Sequence, residues 1–435
     1  MVKQYLKQAW QMMKQQKLFS TIYIVGTALA VCFTTVMAVA YYVKLAPLYP
    51  EYNRSHTYYN DQLTVKPSGN KGSATAGFGY NLLHDWFYQL KNVEVVSGII
   101  KQDPNAHWVH PTEGIDLKIN TIFTDPAFFK IYEYDFIEGS IFSEADFESG
   151  VRTVIISDRL ARKAFHQTTG VVGKMLNMDR NDYRICGVVK SGSKLGSMSY
   201  ADAILPYKTS PSYQEAFYHD PVGYFEIRFL VKDEAQVKAL QEEIDALIAN
   251  LNQQHKEDWI ISTRPLRSHF SMAFNHIYHS NNYKITVWML LKLFLPIILV
   301  LLLIPALNLS GMISSRMEER LAEMGVRKSF GASRSVLLSQ VLWENLLLTL
   351  AGGLVGLALA WIIIALGKGW LFTLFEDAPE SLYDNSITVT GEMLFTPTVF
   401  ITALLVCIII NLLSALIPAW NSLRKPIVSS INEKE

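Results

Sequence analysis

Hydrophobic and polar positions follow two regimes along this chain: long uncharged runs toward its ends, and short strand- or helix-period segments between them. The run LFSTIYIVGTALAVCFTTVMAVAYYV, residues 18–43, holds no charge and exceeds the roughly 20 residues a helix needs to cross a bilayer. It is too long for the apolar core of a cleaved signal peptide. It also runs on into YYVKLAPLYPEY, with Tyr41 and Tyr42 at interface depth, so it reads as a retained anchor. Residues 284–310, 336–366 and 398–420 read as three more spans, which makes four and puts both termini on one side of the membrane.

The segment 44–283 follows other periods. Toward its start, Tyr58 to Val65 reads as a strand and Tyr80 to Leu90 as a helix with Leu83, Phe87 and Leu90 on one face, followed by the strand VEVVSGII. Toward its end, FEIRFLV turns Phe225, Ile227, Phe229 and Val231 inward. The next helix aligns Val237, Leu240, Ile244, Leu247 and Leu251, and DWIIST resumes a strand. Each end is a strand, helix, strand half. Between them IDLKINTIF, VRTVIIS, DRLARKAF and YRICGVVK give a mostly β subdomain inserted at about 115–190, with Ser157 placed to cap the helix. KPSGNKGSATAGFGY, residues 66–80, lacks a period and reads as a mobile loop. The expected fold class is therefore membrane α-helical, with four transmembrane helices, plus a large α+β extracytoplasmic domain.

Composition agrees with a membrane protein that carries a sizeable soluble part: the 435 residues are 50% hydrophobic and 18% charged. The 39 basic and 39 acidic residues cancel, which argues against a nucleic-acid partner. Their placement orients the spans. Lys3, Lys7, Lys14 and Lys17 precede the first span, and Arg316, Arg320, Arg327, Lys328 and Arg334 fill the loop 311–335, so both regions read as cytoplasmic. The loop 367–397 instead sets Glu376, Asp377, Glu380, Asp384 and Glu392 against Lys368 and reads as external, as does 44–283. The leader 1–17 spaces Tyr5, Leu6, Ala9, Trp10 and Met13 as an amphipathic helix among lysines would; a plain positive flank is the alternative.

Chemistry is sparse. TGVVGKM fails the spacing of a phosphate loop, so ATP is not bound by that route. His107 with His110, and His276 with His279, have ligand-like spacing but no third ligand near in sequence. Asp146, Asp158, Asp179 and Asp182 fall at turns and caps. Cys32 and Cys407 sit in apolar runs and Cys186 is alone between spans, so no disulfide framework arises there. No catalytic, cofactor-binding or metal-ligating residue emerges, and the chain reads as no enzyme.

One stretch stands out: RLAEMGVRKSFGASRSVLLSQVLWENLLLTLAGGLVG, residues 320–356. Gly325 would let the backbone turn after a helix, VRKSF would make a second short turn ended by Gly331, and Ser333 is placed to cap the third span. The product is a cytoplasmic elbow with Met324, Val326 and Phe330 as apolar knobs rimmed by Glu323, Arg327 and Lys328. Spacing alone also allows a plain connector. Two ionisable residues lie inside spans: Lys292, which can snorkel, and Glu344, read as a packing or hydrogen-bonding group between helices rather than a proton relay. Gly352 and Gly356 form a small-residue face for close packing, within the bundle or at a dimer seam.

EMGVRKSFGASRSVLLSQVLWENLLLTLAGGLVG resembles the signature of the FtsX-like permease family. FTDPAFFKIYEYDFIEGSIFSEADF, VIISDRLARKAF, VGKMLN and YRICGVVK resemble the periplasmic core domain of MacB-like permeases, and SALIPAWNSLRKPIVSSI the family's closing helix and tail. The resemblance implies a non-enzymatic ABC transporter subunit that dimerises, with a second copy or a paralogue, on a cytoplasmic ATPase dimer. ATP and Mg then bind in that partner, and motion passes through the spans to the external domain. It maps the coupling segment to Glu323, Met324, Gly325, Val326, Arg327, Lys328, Gly331 and Ala332, with Glu344 recurring in the pattern. Met324 stands where isoleucine is usual, and Ser329-Phe330 replaces a smaller pair. Membrane lipid and a periplasmic adaptor or outer-membrane protein complete the expected partners. The rival expectation is a membrane-anchored sensor or regulator of an external partner such as a cell-wall hydrolase.

Overall fold

The computed structural model describes residues 17–69, 72–101, 107–111, 115–193, 198–210, 221–274, 285–293, 326–367 and 397–424, with isolated positions besides. They separate into two compact units, one built on Val43–Thr286 and one on the flanking apolar segments. The helices are α1 (Lys17–Leu45), α2 (Tyr80–Asp85), α3 (Phe128–Ile131), α4 (Glu144–Glu148), α5 (Asp158–Phe165), α6 (Glu234–Gln254), α7 (His269–Ala273), α8 (Arg334–Leu366) and α9 (Pro397–Arg424). The strands begin with β1 (Thr57–Asn60), β2 (Leu63–Pro67), β3 (Ala74–Phe78), β4 (Val95–Lys101), β5 (His107–Val109), β6 (Leu117–Ile119), β7 (Thr121–Thr124) and β8 (Phe136–Gly139). They continue with β9 (Thr153–Ser157), β10 (Met175–Met178), β11 (Asn181–Val189), β12 (Ala203–Pro206), β13 (Val222–Gly223), β14 (Glu226–Leu230), β15 (Trp259–Thr263) and β16 (Arg267–Ser268).

In the first unit a sheet of 12 strands runs β16-β1-β14-β4-β7-β12-β9-β11-β10-β5-β6, with β8 added on β11, and a sheet of 4 strands runs β13-β3-β2-β15. The β-branched run TVIIS of β9 is buried at every position, because β11 lies parallel on one side and β12 antiparallel on the other. Ser157 caps α5, its Oγ accepting from Leu160 N at 3.1 Å. On α6 Asp233 is the cap, and Leu240, Ile244, Ile248 and Leu251 form the buried stripe.

The structure corrects three local expectations. Tyr58 to Val65 is two strands in two sheets, parted at Asp61, whose carboxylate accepts from Arg267 Nη1 at 3.2 Å. The helix expected over Tyr80–Leu90 breaks after Asp85 and resumes as a short 3-10 turn at Phe87–Gln89, while Leu83 and Phe87 stay fully buried. The glycine- and serine-rich piece 66–80 contains β3, paired to β2 and β13. A side chain at Gly77 would meet the carbonyl oxygen of Phe225 at 2.6 Å, so glycine there lets two backbones close up. The segment 115–190 joins the main sheet through β7, which pairs antiparallel with β4 (Ile100↔Phe123).

In the second unit, Lys17–Leu45, Arg334–Leu366 and Pro397–Asn421 are the described helices long and apolar enough to cross a membrane. Most of 284–310, the leader and the loop 367–397 lie outside the described residues, as do His276 and His279. Lys292 is described and exposed, its Nζ 5.6 Å from the centre of the Trp288 ring.

Candidate functional site

The elbow is built by hydrogen bonds that close a short helix. Residues 326–329 are helical, and Gly331 takes φ +90°, a conformation that costs other residues a Cβ clash. Gly331 N donates to Lys328 O at 3.0 Å and Ala332 N to Arg327 O at 3.0 Å, the paired bonds of a Schellman stop. Two residues on, Ser333 begins α8, its Oγ accepting from Val336 N at 3.4 Å. Two backbone carbonyls at one helix end and an amide at the start of the next are thus satisfied between Arg327 and Val336.

This geometry leaves Val326 47% and Phe330 89% exposed, a large cost in water unless something covers them. Ala332 turns the other way, against the cluster of Tyr23, Leu337 and Val341. Burial and the neighbouring Arg334 hold Lys328 below the ordinary lysine range. Glu323, Met324 and Gly325 lie outside the described residues.

Arg327 reaches inward. Its Nη1 donates to Gln340 Oε1 at 2.8 Å, and Gln340 Nε2 donates to Glu344 Oε1 at 3.2 Å. Gln340 and Glu344 are 6% and 4% exposed. The amide gives each neighbour the partner it needs: an acceptor for the guanidinium, a donor for the carboxylate. Gln340 is a residue sequence reasoning missed; its signal was position, one helical turn before Glu344 on the same face.

That face continues. Residues 340, 344, 348, 352 and 356 recur every fourth position along α8, and all are buried. A Cβ on Gly352 would stand 2.8 Å from Thr27 Cβ, and one on Gly356 2.5 Å from the carbonyl oxygen of Ala28. Both glycines therefore face α1, whose backbone approaches too closely for a side chain. Tyr23 OH and Thr349 Oγ1 lie 3.0 Å apart across the same contact.

The histidines of the external unit have gone to separate acids: His107 Nδ1 is 2.5 Å from Asp179 Oδ2, and His110 Nδ1 is 2.8 Å from Asp116 Oδ1. Asp158 pairs with Arg162 and accepts from the Ser191 amide, so it serves a helix start.

Residues 20–247 match the family described as MacB-like periplasmic core domain, and residues 295–427 the one described as FtsX-like permease C-terminal. The chain belongs to this permease family. It is 25% identical over 344 residues to the macrolide export ATP-binding/permease protein MacB of Nitrobacter winogradskyi, across 78% of this chain and 47% of that protein. It is 26% identical over 247 residues to the pyoverdine export ATP-binding/permease protein PvdT of Pseudomonas savastanoi pv. phaseolicola, 56% of this chain and 34% of that one. An uncharacterized ABC transporter permease of Bacillus subtilis, YknZ, is 22% identical over 65% of this chain and 66% of its own length. This permease thus spans less than half the length of the two ATP-binding relatives. Among solved structures, the extracellular domain of a YknZ transporter from Gram-positive bacteria aligns with a TM-score of 0.33 at 19% identity, over 47% of this chain and 99% of that one. The periplasmic region of MacB from Actinobacillus actinomycetemcomitans gives 0.33 at 12%, over 51% and 94%.

Proposed function

We propose that this chain is the membrane subunit of an ABC transporter of the mechanotransmission type, held in a bacterial inner membrane by four spans with both termini cytoplasmic. A separate cytoplasmic ATPase dimer docks on the elbow of each of two permease copies. ATP-driven closure of that dimer moves the spans, and the external domains act on a substrate already outside the cytoplasm, for export or extraction. The observation that carries this reading is the elbow: an exposed pair, Val326 and Phe330, beside Arg327, which is tied through Gln340 to buried Glu344. An exposed apolar pair next to an anchored cation fits a docking surface with an acidic rim. A membrane-anchored regulator would share the architecture without requiring that tie.

The test begins with purification of the full chain from its native membrane under mild solubilisation. An ABC ATPase is expected to copurify. Cysteines on α6 that crosslink paired external domains are then expected to stop substrate handling and to slow ATP hydrolysis. Normal handling by the locked protein, or passage of substrate from the cytoplasm through the spans, would sink the mechanism.

A further inference from the structure

The last turn of α1 belongs to the same compact unit as the external domain, and side chains grip its carbonyls. Helix C-termini leave carbonyls without intrahelical partners. Arg54 Nη1 donates to Val43 O at 2.8 Å and Ala46 O at 2.5 Å, while its Nε donates to Glu51 Oε2 at 2.8 Å. Glu51 Oε1 in turn accepts from Ser199 N at 2.9 Å and Ser199 Oγ at 2.7 Å. The Lys44 carbonyl faces His269 Nε2 at 3.0 Å, and Nδ1 of that ring faces Tyr59 OH at 3.2 Å. A carbonyl can only accept, so Nε2 carries the proton and Nδ1 of the neutral ring accepts from Tyr59. On the same short helix, α7, Ser271 Oγ accepts from Ile285 N at 3.4 Å. One helix of the domain therefore touches the chain as it leaves the first span and again just before residues 287–293.

Three ion pairs stand in this layer, with Lys44, itself buried, and Lys101, beside Glu226 and Arg228, as further cations. Arg54 pairs with Glu51, Arg228 with Glu226, and Arg267 with Asp61. The groups that face His269 are Glu51 and Arg54 on the turn after α1 and Tyr59 on β1. Behind Tyr59 stand Arg228 on β14, 4.8 Å over its ring, Arg267 on β16 and Tyr132 after α3. A second proton on the ring would add an uncompensated buried charge and leave the Tyr59 hydroxyl without its acceptor. A helix C-terminus welcomes a cation, but Arg54 already fills that place. Burial holds His269 below the ordinary histidine range, with Arg54 adding to it against the pull of Glu51.

We propose that Arg54 and His269 form a proton-sensitive clamp on the last turn of α1, closed while His269 is neutral and released when the ring takes a second proton. The sign follows from linkage. The closed clamp depresses the pKa of His269, so its stability is complete above the ordinary histidine value of about 6.5 and is lost as pH falls from there. The clamp does not depend on what drives the spans, so its failure would leave the proposed function standing.

The test uses the full chain in lipid nanodiscs and hydrogen exchange of peptides covering residues 44–50, corrected for intrinsic exchange, at about pH 7.5 and about pH 5.5. One proton shifts an opening equilibrium by up to about tenfold per pH unit, so wild-type protection is expected to drop by about tenfold. His269→Gln, neutral at every pH and still able to donate to Lys44, is expected to be equally protected at both. His56→Asn, on an exposed neighbouring residue, is expected to keep the wild-type drop. Equal protection of wild type at both pH values, or a drop that survives in His269→Gln, would overturn the clamp. Should the glutamine variant fold poorly, imidazole NMR of wild type decides: a His269 midpoint at or above the ordinary value contradicts the proposal.

Discussion

Replacing Gln340 with leucine cuts the tie between Arg327 and Glu344 without touching any surface a partner could reach, since Gln340 is buried. The 2.8 Å bond from the guanidinium is charge-assisted and in water would be worth about 1.5–3 kcal/mol. Polar bonds between helices in a membrane average nearer ~0.6, so about 1 kcal/mol is the reasoned figure. On the proposed reading that energy pre-orients Arg327 for the ATPase, and losing it should weaken capture about fivefold. Capture is measured by titrating the purified ATPase onto nanodisc-embedded wild type, Arg327→Ala, Gln340→Leu and the double variant. Arg327→Ala is expected to weaken capture more than Gln340→Leu, and the double variant no more than Arg327→Ala, because Gln340 acts through Arg327. Additive losses in the double variant, or unchanged capture with Gln340→Leu at an unchanged melting temperature, would refute the relay.

Gly356→Leu is expected to lower the melting temperature of the full chain by an amount equivalent to about 2–3 kcal/mol, whereas Gly26→Ala, where a Cβ meets nothing within 4 Å, should leave it unchanged. Cysteine placed at Ser73 should react with an impermeant thiol reagent in spheroplasts and cysteine at Ser329 should not; equal labelling would overturn the orientation. Burial pushes the Cys186 thiol up to about 11, so it should stay unlabelled at neutral pH and serve as an internal blank. Asp125→Ala should cost the external unit about 3 kcal/mol, read by denaturant unfolding. It removes the carboxylate that accepts from the Tyr88 hydroxyl, the Ser97 hydroxyl and the Gly98 amide, at about 1 kcal/mol for each donor, while Phe128 N keeps the Asp125 backbone carbonyl at 3.3 Å.

Local features were legible where the physics is local. Ser157 and Ser333 cap their helices because a hydroxyl three residues before an open amide needs no tertiary help. Gly331 ends the elbow because few other residues tolerate φ +90°. The stripe on α6 was visible in its period, with Ile248 rather than Leu247 the more deeply buried member. What stayed hidden depends on partners distant in sequence. β3 looks like a loop until the Phe225 backbone comes up against Gly77, and Tyr58 to Val65 looks like one strand until Asp61 meets Arg267. His269 carries no signal at all in its own stretch; its meaning comes from Lys44, 225 positions away. Gln340 was hidden differently, as an ordinary polar residue near the start of a span.

The order of residues along the buried stripe of α8 bears on how such a helix works. Its earlier part is tied by directed hydrogen bonds, to the elbow where Gln340 accepts from Arg327 and to α1 where Thr349 Oγ1 lies 3.0 Å from Tyr23 OH; its later part, Gly352 and Gly356, is held by close approach to the α1 backbone. Directed bonds resist rotation of the helix about its axis, and backbone contact at glycine resists sliding, because any shift brings a bulkier neighbour against α1. A helix held in both ways passes a displacement of its first turn along its length instead of absorbing it in side-chain rearrangement. The same buried polar groups are partnered by one another and by the elbow, so they offer no open row of donors and acceptors for a hydrophilic solute to follow among the described residues. On the proposed reading, then, the elbow is where force enters and the bundle is what carries it.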